Sequence, residues 1–314
     1  MLRASGVGDS SVKVRIVGML AIFVLAVGCR SRRADPSLGR GAAENGALGS
    51  PSLQLGSVPP TSNPVERSPT PPRRLEGKEP FIALEVSGFG DAVVGIPIGA
   101  TGRRPILVAL HGNFDRPNWQ CEVWRQISGG FPFVLCPRGI ARRDVPKRMD
   151  RWEWSNTEQT DRELQAAIAA LNQEYGDFVA KGPILLAGFS LGAILEVGIL
   201  MRHPGQFGPV VLVEGGQRGW SRAAVQRIFL SSSDTGVVPE PWQRVLFACG
   251  QWDCLKKSRP LVKRLERGGV EAKVVHGRGA GHTYDGTVAE AIGGEWKWLI
   301  SGDERWAGSA AAID

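Results

Sequence analysis

Apolar residues in the second half of this chain come in short unbroken runs, with little polar alternation. "PILVALHG", "FPFVLCPRG", "PILLAGFS", "PVVLVEGG", "RVLFACG" and "AKVVHGRG" are each a short run stopped by Gly or Pro. Strands buried on both faces of a parallel sheet have this pattern. Ahead of them, "FIALEVSG" and "AVVGIPIG" flank Phe89, Gly90 and Asp91, which predicts an antiparallel hairpin. Helical patterns fall between the runs. Thr160 to Glu163 form a capping box opening "LQAAIAALNQEYG", and "LGAILEVGILMRH" follows Ser190 and stops at Pro204. "RPLVKRLERGG" and "VAEAIGGEWKWLIS" supply two more helices. Alternating strands and helices predict an α/β fold: a mostly parallel, twisted sheet with helices on both faces, spanning residues 79–314.

The first 78 residues have a different character. Arg3, Lys13 and Arg15 precede the apolar run "IVGMLAIFVLAVG", which ends at Gly28 and is followed by Cys29. As a helix that run reaches only ~20 Å against a bilayer core of ~30 Å, so it suits a cleaved export signal over residues 1–28 better than a membrane span. Ala26-Val27-Gly28-Cys29 resembles the lipobox of bacterial lipoproteins. The resemblance implies cleavage before Cys29, acylation of that cysteine, and a lipid-anchored protein on the periplasmic or cell-surface side of a bacterial envelope. Residues 29–78 are rich in Pro, Gly, Ser and Arg and show no apolar period, so a disordered tether is expected.

Charge changes the picture only for the tether. Residues 1–78 carry 11 basic and 5 acidic side chains, nearly all of the chain's net +7. The remaining domain is close to neutral, and its composition gives no sign of a nucleic-acid partner. With Cys29 lipidated, four cysteines remain in an oxidising compartment, and Cys249 paired with Cys254 would close a small ring around "GQWD". Cys121 and Cys136 are then left to each other.

Ser190 carries the candidate chemistry. A G-x-S-x-G string arises by accident roughly one time in three in a chain this rich in glycine, but "GFSLG" stands between a buried strand and an apolar helix. A nucleophile elbow belongs at such a junction. "LHGN" ends an earlier strand, so the backbone N–H groups of Asn113 and Leu191 are the expected oxyanion donors. Of the four histidines, His111 lies in that oxyanion segment, His203 ends a helix and His276 sits within a strand pattern. His282, in "GAGHTYDG" after the last strand, is the expected base. Asp253, in "CGQWDC", is the expected acid, and Glu214, at the end of "VLVEGG", is the alternative. Asp285 is too near His282 in sequence to serve.

These residues, in the order Ser190, acid, His282, resemble the α/β-hydrolases, on the carboxylesterase, phospholipase-like and dienelactone-hydrolase-like side of that family. The resemblance implies an acyl-transfer serine hydrolase acting on a small-molecule ester or thioester, with no cofactor. No cysteine–histidine spacing suggests a metal. A non-catalytic binding module on the same fold, or a hydrolase of small amides, is the rival expectation. Only a short stretch separates "VLVEGG" from "RVLFACG", so no large cap domain is expected there. The other wall, "PRGIARRDVPKRMDRWEW", is rich in Arg and Trp and suits a substrate with an anionic group and an apolar body.

Overall fold

In the computed structural model, residues 73–230 and 243–309 are described. The signal segment with Cys29 and the tether through residue 72 lie outside the described residues. Packed chain begins ahead of the expected boundary at residue 79. Leu75 is buried, and it exchanges backbone hydrogen bonds of 2.7 and 2.8 Å with Gly99 and Ala100.

Ten strands form: β1 (Phe81–Leu84), β2 (Ala92–Gly95), β3 (Ile106–Leu110), β4 (Phe133–Cys136), β5 (Ile140–Ala141), β6 (Trp152–Glu153), β7 (Ile184–Phe189), β8 (Phe207–Val213), β9 (Arg244–Cys249) and β10 (Glu271–His276). Seven helices accompany them: α1 (Pro117–Ile127), α2 (Thr157–Tyr175), α3 (Leu191–Arg202), α4 (Arg222–Val225), α5 (Trp252–Arg267), α6 (Thr287–Gly294) and α7 (Trp296–Ile300). Eight strands make one sheet in the order β1-β2-β4-β3-β7-β8-β9-β10. The β1–β2 hairpin is antiparallel as expected, β2 joins β4 antiparallel, and from β4 to β10 every pairing is parallel.

The unbroken apolar runs have their cause in this layering. Val108 and Leu110 of β3 point into one core with Leu186 of β7 and Leu164 of α2. Leu107 and Ala109 point into the other with Leu185, Trp124 of α1 and Trp296 of α7. Every residue of β3, β4, β7, β8 and β9 is buried. Both faces being covered, no strand position favours a polar side chain.

Helix α2 starts earlier than its capping box suggests. Asn156 is the N-cap, and its side chain accepts from the Gln159 N–H at 2.9 Å. Glu163 is thereby left one turn inside the helix, where it accepts from the N–H groups of Arg138 and Gly139 at 3.0 and 2.7 Å. That contact fixes the start of the segment between β4 and α2. The segment folds into the small β5–β6 hairpin, which is tied to the loop after β3 where the Phe114 N–H donates to the Trp152 carbonyl at 3.0 Å. Among the described residues no helix is long and apolar enough to cross a membrane.

Candidate active site

The carboxyl ends of the parallel strands all open onto one edge of the sheet, and the backbone is strained there. Among the described residues four non-glycine residues have positive φ: Phe114 at 63°, Asp150 at 52°, Ser190 at 51° and Glu214 at 50°. Phe114, Ser190 and Glu214 follow the carboxyl ends of β3, β7 and β8, and Asp150 lies in the hairpin between β5 and β6. Such conformations cost of order 1–3 kcal/mol each and persist where surrounding packing enforces them.

Packing enforces the one at Ser190. A Cβ on Gly192 would run into the Leu110 carbonyl, and one on Gly215 would lie 2.5 Å from the Ser190 carbonyl oxygen. Only glycine lets β7, α3 and the end of β8 approach so closely. The turn lifts the Ser190 hydroxyl to 2.9 Å from Nε2 of His282. Nδ1 of the same ring lies 3.2 Å from Oε2 of Glu214. With Nδ1–H donating to the carboxylate, Nε2 is left to accept the serine proton.

Glu214, the alternative acid of the sequence reading, therefore faces the base. Its side chain is 1% exposed, and Oε1 accepts from the N–H groups of Gly250 and Gln251 at 2.6 and 2.8 Å. Asp253, the expected acid, does not reach His282. Helix α5 starts at Trp252, which puts Asp253 in its first turn, 71% exposed and ion-paired with Lys257 at 2.5 Å. A carboxylate there complements the positive end of the helix and a lysine one turn on.

Both expected disulfides are present, Cys121–Cys136 and Cys249–Cys254. The short ring encloses Gly250 and Gln251. It holds the amides that receive the acid, whereas the sequence reading had placed the acid itself in the ring.

The loop after β3 brings Asn113 beside the elbow. Its neighbours are bonded on both sides, Gly112 N–H to Asp115 Oδ2 at 3.2 Å and Phe114 N–H to Trp152. Leu191 is the first residue of α3, so its N–H has no acceptor within the helix. His111 is structural. It is fully buried against Trp154, with its ring nitrogens each 2.7 Å from the carbonyls of Gly112 and Arg138. Burial pulls its pKa down, and the two carbonyls oppose that. His203 contacts the buried Asp161 at 2.7 Å, and His276 packs near Trp252. His276 Nε2 also lies 3.3 Å from the carbonyl of Gly250, whose N–H donates to Glu214, but neither histidine bonds to Ser190, His282 or the Glu214 carboxylate itself.

Three residues hold these loops, and of them the sequence reading gave a role only to Arg142, as part of a substrate wall. Asp115 is buried and accepts from Gly112, from the Arg116 N–H and from the Tyr284 hydroxyl, the last at 3.2 Å. It links the Asn113 loop to the His282 loop, and Tyr284 also packs edge-on against Phe189. Arg142 donates to the Asn113 side-chain oxygen at 2.6 Å and to Glu153 at 3.0 Å. These partners are far apart in sequence, and no local pattern marks them. A fourth group, Glu196 of α3, lies under the elbow with both carboxyl oxygens fully buried and without a hydrogen-bond partner. Burial pushes its pKa well above the carboxylate range.

No protein-family model and no curated protein matches the chain. Solved structures do. The chain is similar to TT1662 from Thermus thermophilus at 16% identity, with a TM-score of 0.47 over 70% of this chain and 98% of that one. It is also similar to FphF, a fluorophosphonate-binding serine hydrolase of Staphylococcus aureus, at 12% identity and a TM-score of 0.47, covering 70% and 97% of the two chains. Est1E from Butyrivibrio proteoclasticus matches at 12% identity and 0.46, over 71% and 100%. In this chain itself, the mostly parallel sheet carries a strand–turn–helix elbow at Ser190, and Ser190, Glu214 and His282 meet in that chain order.

Proposed function

We propose that the domain is a serine hydrolase that cleaves carboxylic esters or thioesters through an acyl-enzyme. One observation carries this reading: the continuous contact from Ser190 through His282 to the buried, doubly bonded Glu214. In the mechanism, Ser190 Oγ attacks the acyl carbon as its proton passes to Nε2 of His282. The N–H groups of Asn113 and Leu191 receive the oxyanion. As the tetrahedral intermediate collapses, the bond to the leaving group breaks and His282 returns its proton to the departing oxygen or sulfur. Water then attacks the acyl-enzyme by the same route and frees Ser190.

Glu214 keeps the imidazole in the tautomer that accepts at Nε2 and stabilises the imidazolium as it forms. The decisive experiment is fluorophosphonate labelling of the folded protein, alongside turnover of p-nitrophenyl esters of graded acyl length. Labelling that disappears in Ser190→Ala is expected. Folded wild-type protein inert to both would establish the non-catalytic binding module instead.

Export and lipid anchoring through Cys29 are proposed alongside. Two disulfides suit an oxidising compartment. The mass of the mature N-terminal peptide tests this, with an unmodified start at another residue as the refuting result.

A further inference from the structure

Seven large apolar side chains are markedly exposed among the described residues, and their placement is uneven. Ile98 follows β2, which runs against β4, so it lies at the far edge of the sheet. The other six, Phe114, Trp119, Ile140, Met149, Ile194 and Trp252, all follow carboxyl ends of parallel strands. They lie at the same edge of the sheet as Ser190, His282 and Glu214, from the Asn113 loop and the β5–β6 hairpin to the start of α5. Isolated exposed apolar residues are ordinary, but a rim of them at one edge is the pattern of an interaction surface.

Within the β5–β6 hairpin the charges have one sign to spare, although Asp285 of the His282 loop is exposed as well. Asp144 and Glu153 are ion-paired with Arg142, Asp150 with Arg116, and Asp253 with Lys257. Arg143, Lys147 and Arg148 in the same hairpin are exposed, and they pair with no acid among the described residues. Arg151 stacks between Phe114 and Trp119, at 5.3 and 4.8 Å from their ring centroids, so cations and aromatic faces are interleaved.

We propose that this face docks on an anionic lipid surface, the apolar rim entering the headgroup region while Arg143, Lys147 and Arg148 meet the phosphates. The rim is spread along the edge that carries the triad, which suits an extended surface better than one soluble molecule. Docking would bring acyl esters held in that surface to Ser190, and in this it builds on the hydrolase reading.

Tryptophan fluorescence of the full-length protein, mixed with vesicles of brominated-chain phosphatidylglycerol or phosphatidylcholine, tests the proposal. Residues 1–72 contain no tryptophan, so quenching reports on the folded domain rather than on the N-terminal segment. Quenching by the anionic vesicles alone, relieved by salt and reduced in Trp119→Phe/Trp252→Phe, is expected. Neutralising Arg143, Lys147 and Arg148 together to Gln should weaken the vesicle affinity roughly a hundredfold. Equal quenching by both lipids, or an unaltered affinity in the triple variant, would overturn docking. Retention on dextran sulfate without any lipid quenching would overturn it too and assign the cations to a soluble polyanion. Fluorophosphonate labelling of the same samples reads the hydrolase assignment separately, so the two can fail independently.

Discussion

Glu214 and Asp253 follow adjacent strands, β8 and β9, in glycine-flanked loops at the same edge of the sheet, yet only Glu214 reaches His282. Glu214 comes directly after the last residue of β8, so the sheet fixes its backbone, and two amides of the neighbouring loop fix its carboxylate. Asp253 comes after the chain has turned into α5, where solvent and Lys257 are its surroundings. An acid at a strand end is positioned by the sheet, whereas an acid in the first turn of a helix serves the helix. The loop after β9 still contributes, because its Gly250 and Gln251 hold the carboxylate that it does not itself supply.

The contrast breaks most sharply at the acid. Glu214→Gln should lower kcat by about 10³–10⁴-fold, the scale expected when the base loses the partner that sets its tautomer. If Asp253→Asn is the more damaging variant at equal thermal stability, the assignment of the acid is wrong. On the oxyanion side Arg142 has the counterpart of the amides' role, holding a catalytic loop from outside through the Asn113 side chain. Arg142→Met should reduce kcat by roughly tenfold to a hundredfold, no more than the lower end of the loss from removing a single oxyanion donor, with little change in KM. Asn113→Ala, which keeps the N–H, should add nothing further in the double variant. Additive losses would mean that Arg142 acts elsewhere.

Glu196 sharpens the comparison from the opposite direction, being as buried as Glu214 but without donors. Its folded-state pKa is raised by burial, so the folded state binds a proton that the unfolded state releases above its ordinary pKa. Stability is therefore lost as pH rises from the ordinary carboxylate range toward the folded value. Glu196→Gln, neutral at every pH, should have a higher Tm than wild type near about pH 8, with the gain shrinking toward about pH 4. A difference in Tm that does not vary with pH would refute a buried neutral carboxyl. Smallest of all, Asp253→Asn should change stability by no more than about 0.5 kcal/mol in denaturant titration, as exposed helix ion pairs do, with kcat untouched.

The sheet was legible because a strand covered on both faces has to be apolar at every position, and the runs from "PILVALHG" to "RVLFACG" show that directly. Ser190 and His282 were legible because an elbow needs small residues at fixed offsets, and because the base has to follow the last strand. The acid was harder. Both candidates lie at strand ends, and what separates them is where α5 begins, a matter of one turn that "GQWDC" does not show. The start of α2 was misplaced for a similar reason, since Asn156 caps the helix before Thr160 is reached. Asp115 and Tyr284, and the bond from Arg142 to Asn113, were invisible because these partners come together only through the tertiary fold.

The contacts of the site also differ widely in how much chain they enclose. The Cys249–Cys254 ring closes over a sequence separation of 5, Glu214 meets Gly250 over 36, His282 meets Glu214 over 68, and His282 meets Ser190 over 92. Closing longer segments costs more entropy, and such contacts form only once the sheet between them is in place. During synthesis, Ser190 emerges well before the chain has made its base. Until β9, β10 and the following loop have been added and paired, the serine has nothing to take its proton, so a nascent or truncated chain is chemically silent toward the lipids and proteins around it.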